Sequence, residues 1–212
     1  MIQIERFVFN PFQVNTFVLY DESRECVIID PGCSNEEENR QLTSFIGKNK
    51  LKPVKLLNTH SHVDHLLGNN FVAREYNLKP EIHEGGMGFH KQAADSGMIF
   101  GLEVEEQIIP ENFIHEGDRI TFGNSSLEVI YSPGHVDGHV CFLSRKEKFV
   151  IAGDVLFQMS IGRTDLPTGN MDLLLQNIRE KLFTLPDDFT VYPGHGPETS
   201  IGFEKQNNPF LN

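Results

Sequence analysis

Four predicted strands of this chain run into turns that carry histidine or aspartate. The densest, His60-Ser61-His62-Val63-Asp64-His65, sets three imidazoles and a carboxylate within six residues. It follows the apolar run Val54-Lys55-Leu56-Leu57 and precedes Leu66-Leu67-Gly68 and Phe71-Val72, which continue at helical spacing, so it lies where a strand gives way to a helix. In extended backbone, residues two apart share a face, and His60 and His62 can reach one ion from one side. Asp64 and His65 lie past the bend and face a different point. Ser132-Pro133-Gly134-His135, Ala152-Gly153-Asp154 and Tyr192-Pro193-Gly194-His195 close strand-like runs at 127–131, 148–151 and 189–192 in the same way. A metal-binding site is the reading that uses all four turns. The alternative, an exposed metal-scavenging tract, does not suit a cluster embedded between apolar elements.

At 212 residues the chain can bury a substantial core without staples, and it contains no linker, repeat or low-complexity tract, so residues 1–212 read as a single domain. Eighteen basic against thirty acidic residues give a net charge of -12, which opposes a phosphate backbone and favours a small-molecule substrate over nucleic acid. The acidic runs at 36–38 and 103–106 read as solvated surface. The start alternates like an opening strand rather than a signal peptide, and no apolar stretch approaches a membrane span. Three cysteines without a C-x-x-C pattern, two of them (Cys26 and Cys141) in strand-like runs, fit a reducing, cytoplasmic setting. Oligomeric state is left open.

Strands are predicted at 2–9, 15–20 and 26–30, then an amphipathic helix over 35–48 with a capping box from Ser34 to Glu37. Residues 84–106, broken by Gly85-Gly86-Met87-Gly88 and Ser96-Gly97, read as a short helix flanked by a mobile, partly apolar loop, either a surface excursion or a substrate lid. Strands near 118–123, 126–131, 139–144 and 148–153 follow. Met171, Leu174, Leu175, Ile178 and Leu182 then recur at helical spacing behind Asn170 as N-cap. A strand near 189–192 and a short helix over 199–205 close the chain. Two packed sheets covered by helices on both outer faces accommodate these elements economically.

The candidate ligands are five histidines and two aspartates, a nitrogen and oxygen set that suits zinc, iron or manganese. His60, His62 and His135 suffice for one ion and Asp64, His65 and His195 for a second, with Asp154 suited to bridge them. Two ions roughly 3.5–4 Å apart lower the pKa of a shared water from 15.7 toward about 7, so a metal-bridging hydroxide serves as nucleophile and no Ser or Cys is needed. Asp64 and Asp154 are the catalytic candidates. Structural zinc is usually closed by four ligands and rich in cysteine, and seven donors without a thiolate favour catalysis.

The segments 59–65, 132–135 with Gly138-His139, Gly153-Asp154 and 193–195 resemble, in order and spacing, the metal motifs of the metallo-β-lactamase superfamily, over residues 13 to 210. Within it, residues 153–157, 160–167 and 192–197 are similar to the bacterial glyoxalase II-like hydrolases. The resemblance implies an α+β fold, the αββα four-layer sandwich, and a binuclear site, zinc foremost with iron or manganese possible, that hydrolyses a thioester such as a hydroxyacylglutathione. It assigns His60, His62 and His135 to the first metal, Asp64, His65 and His195 to the second, and Asp154 to both, leaving His139 a packing or hydrogen-bonding role. Longer glyoxalase II enzymes add a basic C-terminal helical region that holds glutathione. This chain runs about 17 residues past His195 with Lys205 as its one cation there, and is expected to lack that region. Arg163 is the candidate contact for an anionic substrate, with a salt bridge to Asp165 as its other reading.

Three other functions compete with the thioester hydrolase. A mononuclear iron persulfide dioxygenase shares much of the first motif. A β-lactamase ranks lower, because many place a different ligand where this chain has Asp154. A non-enzymatic metal-binding interaction protein ranks last.

Overall fold

The computed structural model describes residues 1–211. Strand β1 (Gln3–Phe9) pairs antiparallel with β2 (Val14–Tyr20), and β2 with β3 (Glu25–Ile29). Helix α1 (Glu36–Lys48) then crosses to β4 (Lys52–Leu57), parallel to β3. After α2 (Asn69–Tyr76), the strand β5 (Pro80–Ile82) adds parallel to β4. Helices α3 (Met87–Lys91) and α4 (Ala93–Ile99) lead to β6 (Asn112–Phe113), which completes a sheet ordered β1 to β6.

The second sheet opens as an antiparallel meander of β7 (Arg119–Phe122), β8 (Ser125–Tyr131), β9 (Val140–Ser144) and β10 (Phe149–Gly153). A small hairpin of β11 (Leu156–Phe157) and β12 (Ser160–Ile161) follows, then α5 (Met171–Asn177), continued by a wider helical turn over Ile178–Leu182. Strand β13 (Thr190–Pro193) returns parallel to β10, β14 (Thr199–Ser200) pairs with β13, and α6 (Ile201–Asn207) packs behind.

The period-2 geometry of these strands divides their side chains between two faces, and both are apolar. Phe17, Leu19, Val27 and Ile29 of the first sheet meet Leu127, Val129, Phe142 and Ile151 of the second in a central core. Their sequence neighbours Val18, Cys26 and Ile28 face outward onto Leu42, Ile46 and Val72 of α1 and α2. Cys141, Leu143 and Val150 likewise face Leu174, Ile178, Leu182 and Ile201. The layers are therefore helix, sheet, sheet, helix, the αββα sandwich expected from the sequence.

Two local expectations need correction and one, on the cysteines, is extended. The cap of α1 falls one residue later than Ser34–Glu37. The Asn35 side chain accepts from Glu38 N at 3.0 Å, while the Glu38 carboxylate reaches back to Ser34 N at 2.7 Å and to Asn10 N at 2.8 Å. A cap of this kind is worth about 1 kcal/mol, and because Asn outranks Ser there only slightly, geometry decides between them. Glu38 is thus a structural acid within a run read as solvated. The 84–106 stretch holds more helix than expected, since a 3-10 turn at Glu84–Gly86 runs directly into α3 and α4. Finally, Cys33 is buried alongside Cys26 and Cys141, and all three are free thiols.

Candidate metal centre

The turn after β4 is pinned by a reciprocal amide pair. Asn58 Nδ2 donates to the His65 carbonyl at 3.0 Å and to Asn69 Oδ1 at 3.2 Å, and Asn69 Nδ2 donates back to Asn58 Oδ1 at 2.9 Å. The chain passes His60 and His62 in extended form, then tightens into a 3-10 turn over Val63–His65. His60 and His62 are thereby separated from Asp64 and His65, as the spacing predicts.

A second tether comes from Asp30 at the end of β3. Its Oδ1 accepts from Thr59 N at 2.7 Å, and its Oδ2 accepts from Thr59 Oγ1 at 2.6 Å. With its proton committed to Asp30, Thr59 Oγ1 can only accept from His60 Nδ1, 3.0 Å away, which leaves the lone pair of His60 on Nε2. The same logic holds twice more. His135 Nδ1 donates to the Arg163 carbonyl at 2.7 Å and His195 Nδ1 to the Phe12 carbonyl at 2.9 Å, so each presents Nε2.

The other three ligand turns belong to the second sheet, where His135 follows β8, Asp154 follows β10 and His195 follows β13. Two glycines make the approach possible. Gly153 has φ +50°, and a Cβ there would lie 2.6 Å from Thr59 Oγ1 and 2.7 Å from His139 Nε2. A Cβ on Gly194 would collide with Asp154 Oδ1 and sit 2.8 Å from His65 Cε1. His139 accepts from Asp154 N at 3.0 Å and stacks on His60 with centroids 4.8 Å apart. It packs and orients, the role the resemblance leaves to it.

These turns bring all seven predicted ligands together. The donor atoms of His60, His62 and His135 lie within 4.8 Å of one another, as do those of Asp64, His65 and His195, and those of His60, His65 and Asp154. Asp154 reaches both sides: Oδ1 is 3.5 Å from His65 Nε2, and Oδ2 is 3.6 Å from both His135 Nε2 and His195 Nε2. His135 Nε2 and His62 Nδ1 face each other at 2.9 Å, an approach that needs a proton or a cation to be favourable. His60 Nε2, His62 Nε2, His65 Nε2 and Asp154 Oδ1 are buried without a hydrogen-bond partner. Such atoms cost free energy unless something binds them, and divalent cations fit this donor set.

Charge divides the centre. Burial and the neighbouring imidazoles hold His60 well below its ordinary pKa, and burial with His135 holds His62 down to about 4, so both stay neutral and able to donate a lone pair. His65 and His195 move the other way. Burial opposes their charge, but Asp64, Asp30 and Asp154 around His65, and Asp64 and Asp154 around His195, outweigh it and raise both pKa values. Burial alone would raise the Asp154 pKa, yet the imidazoles of His65, His195 and His135 keep its carboxylate strongly ionised. This half of the centre attracts positive charge.

Arg163 pairs with an acid at the surface. Its guanidinium makes a two-pronged contact with Asp165 at 2.7 and 2.8 Å, and the part of Arg163 that serves the centre is its backbone carbonyl. Lys205 is likewise paired with Asp187 at 2.7 Å. Asp30 escaped sequence reasoning, although a signal for it exists: Asp30-Pro31-Gly32 ends a strand with the same X-Pro-Gly turn that precedes His135 and His195.

A model of the metallo-β-lactamase superfamily matches residues 9–195, and the chain belongs to that superfamily. It is 38% identical over 205 residues to the probable metallo-hydrolase YqgX of Bacillus subtilis, covering 95% of this chain and 94% of that protein. It is 34% identical over 215 residues to hydroxyacylglutathione hydrolase GloC of Haemophilus influenzae, covering 100% and 99%. Among solved structures, the BLEG-1 B3 metallo-β-lactamase superposes with a TM-score of 0.90 at 33% identity, over 99% of this chain and 100% of that one. TTHA1623 in a di-iron-bound form superposes with a TM-score of 0.88 at 31% identity, over 98% and 100%. The protein is a metal-dependent hydrolase of this superfamily with a His/Asp centre of dinuclear type. No helix of the described residues is long and apolar enough to cross a membrane.

Proposed function

We propose that the chain acts as a single-domain thioester hydrolase. His60, His62 and His135 would hold one divalent ion, Asp64, His65 and His195 a second, and Asp154 both. The observation that carries this reading is the position of Asp154, whose two oxygens face the two histidine groups from between them. Once bound, the ions would supply a water acidified from 15.7 toward about 7 and a Lewis acid for the substrate carbonyl. Zinc, iron and manganese all suit the donors, and the di-iron form of TTHA1623 puts iron beside zinc as a candidate.

The side chains do the rest. Asp64 Oδ2 lies 3.2 Å from His195 Nε2 and 3.6 Å from His65 Nε2, and those imidazoles keep the carboxylate ionised against its burial. Asp64 and Asp154 are the acceptors within reach of the proton that an attacking water gives up. Hydrolysis of RC(O)SR′ by water yields a carboxylic acid and a thiol, and that proton is owed to the departing sulfur. The thioester preference is supported by GloC, whose name states it and which this chain matches over 99% of its length, so the reading needs no region outside the matched span. Three buried free thiols are compatible with a cytoplasmic setting.

The test is metal analysis of protein purified without added metal, joined to assays of thioesters, a glutathione persulfide and a β-lactam. Two metals per chain with thioester cleavage is the expected result. One iron with oxygen uptake would replace the reading with the dioxygenase, β-lactam turnover alone with a lactamase, and full metal loading without turnover with a binding protein.

A further inference from the structure

The rim of the centre is aromatic and aliphatic. The Phe89 ring meets His62 edge-on at 5.6 Å between centroids, and the Phe157 ring lies 6.4 Å from His195. Phe12, whose carbonyl holds His195, packs its ring edge-on against Phe100 at 5.4 Å. Phe100 follows α4, which packs against the metal-binding turn at Val63–His65, and the end of this segment is bare: Met98 is 68%, Ile99 81% and Phe100 54% exposed. On the Phe157 side, Met159 adds another exposed apolar side chain. Both cations that the sequence offered to an anionic substrate, Arg163 and Lys205, are bound to carboxylates.

Contiguous apolar surface of this kind marks a binding site. Its continuity with the centre, through one residue that touches His195 by its backbone and Phe100 by its ring, puts it beside the substrate of that centre. We propose that the segment 98–100 together with Phe12 forms the acyl-binding wall of the centre, favouring thioesters with an extended aliphatic or aromatic acyl group over acetyl ones. This rests on the thioester reading above and adds to it a substrate class. Each methylene that the wall covers is worth about fourfold in kcat/KM.

The experiment uses metal-loaded protein and one thiol carrier bearing acetyl, butanoyl, hexanoyl, benzoyl and D-lactoyl groups. The wild type is expected to gain at least tenfold in kcat/KM from acetyl to hexanoyl. Ile99→Ser and Phe100→Ala are expected to flatten that slope. Because Ile99 is so exposed, its variant folds normally, which guards against misreading an unfolded one. The same series is run as non-hydrolysable thioethers by calorimetry. If no thioester turns over while thioether affinity still rises with chain length and falls in Ile99→Ser, the thioester reading fails and the apolar wall stands. Chain-length-independent rates and affinities overturn the wall. So does a wild-type dimer that Ile99→Ser dissociates without changing the slope, which would assign the patch to a second copy of the chain.

Discussion

Asp30 Oδ2 lies 3.0 Å from His65 Nδ1 in a place where neither side chain is exposed to solvent. The same carboxylate receives Thr59 from its other side, so one aspartate just past β3 sets the orientation of ligands assigned to both ions: His60 through Thr59, and His65 directly.

Asp30→Asn is therefore expected to weaken metal binding about 10–100-fold although Asp30 is outside the ligand set, because partners of this kind fix the ring and its tautomer. The amide keeps the shape but supplies one acceptor oxygen where Thr59 N and Thr59 Oγ1 need two. Competition with a chelator of known affinity measures the effect. Affinity equal to wild type would make Asp30 a purely structural residue.

Asp154→Ala is expected to lose metal from both positions and hydrolytic activity together, since its two oxygens serve both groups. Elemental analysis after gel filtration, with turnover on the same samples, checks this. Two metals per chain and near-normal rates would remove Asp154 from the bridge. Asp64→Asn, which removes charge but little volume, is expected to cut turnover far more than it lowers the melting temperature.

Arg163→Ala is expected to leave kcat/KM within about threefold of wild type, because the guanidinium is an exposed partner of Asp165 and the backbone carbonyl on His135 survives the substitution. A much larger fall, confined to substrates with a carboxylate, would return Arg163 to the substrate site.

Acid stability depends on a residue far from the metal. Burial would raise the Asp21 pKa, but the Ser23 and Ser125 hydroxyls and the Ser23 and Asn124 amides donate to its carboxylate and hold it down to about 2. Because the folded value is below the unfolded one near 3.9, the stabilisation is complete above pH ~4 and is lost as pH falls toward 2. It amounts to roughly 2 kcal/mol. Urea midpoints across pH 2–7 are expected to show Asp21→Asn less stable than wild type at neutral pH, with the gap narrowing below pH 4. A gap that does not change with pH would refute the assignment.

The layers and the seven candidate ligands were legible because each rests on a short-range signal: short apolar runs in β2 and β8 to β10, helical spacing from Met171 to Leu182, and donors at strand ends. Asn170 caps α5 as expected, its side chain accepting from Leu173 N at 3.0 Å. The missed elements have no such signal. β5, β6, β11 and β12 are two or three residues long and exist through neighbours that only the folded chain supplies. Asp30 reads as an ordinary turn residue until its partner 35 positions later, His65, is placed beside it. Arg163 depends on which of two charges its side chain meets, and Asp165, two positions away, is the one beside it.

His195, the last of the seven donors in the chain, is held by the first hairpin. Its ring donates to the Phe12 carbonyl, Asn15 N donates to the Gly194 carbonyl at 2.7 Å, and the Asn15 side chain donates to the carbonyls of Pro193 and Gly196, each at 2.9 Å. Contacts between residues about 180 positions apart close loops that take in most of the chain, and they are late to be rewarded during folding. During synthesis, the ligands from His60 to Asp154 are all made before the strand that delivers His195. A growing chain can thus assemble the three-histidine half of the centre first. The second half waits for β13 to return to the β1–β2 hairpin, so the completed centre is a record that both sheets have folded.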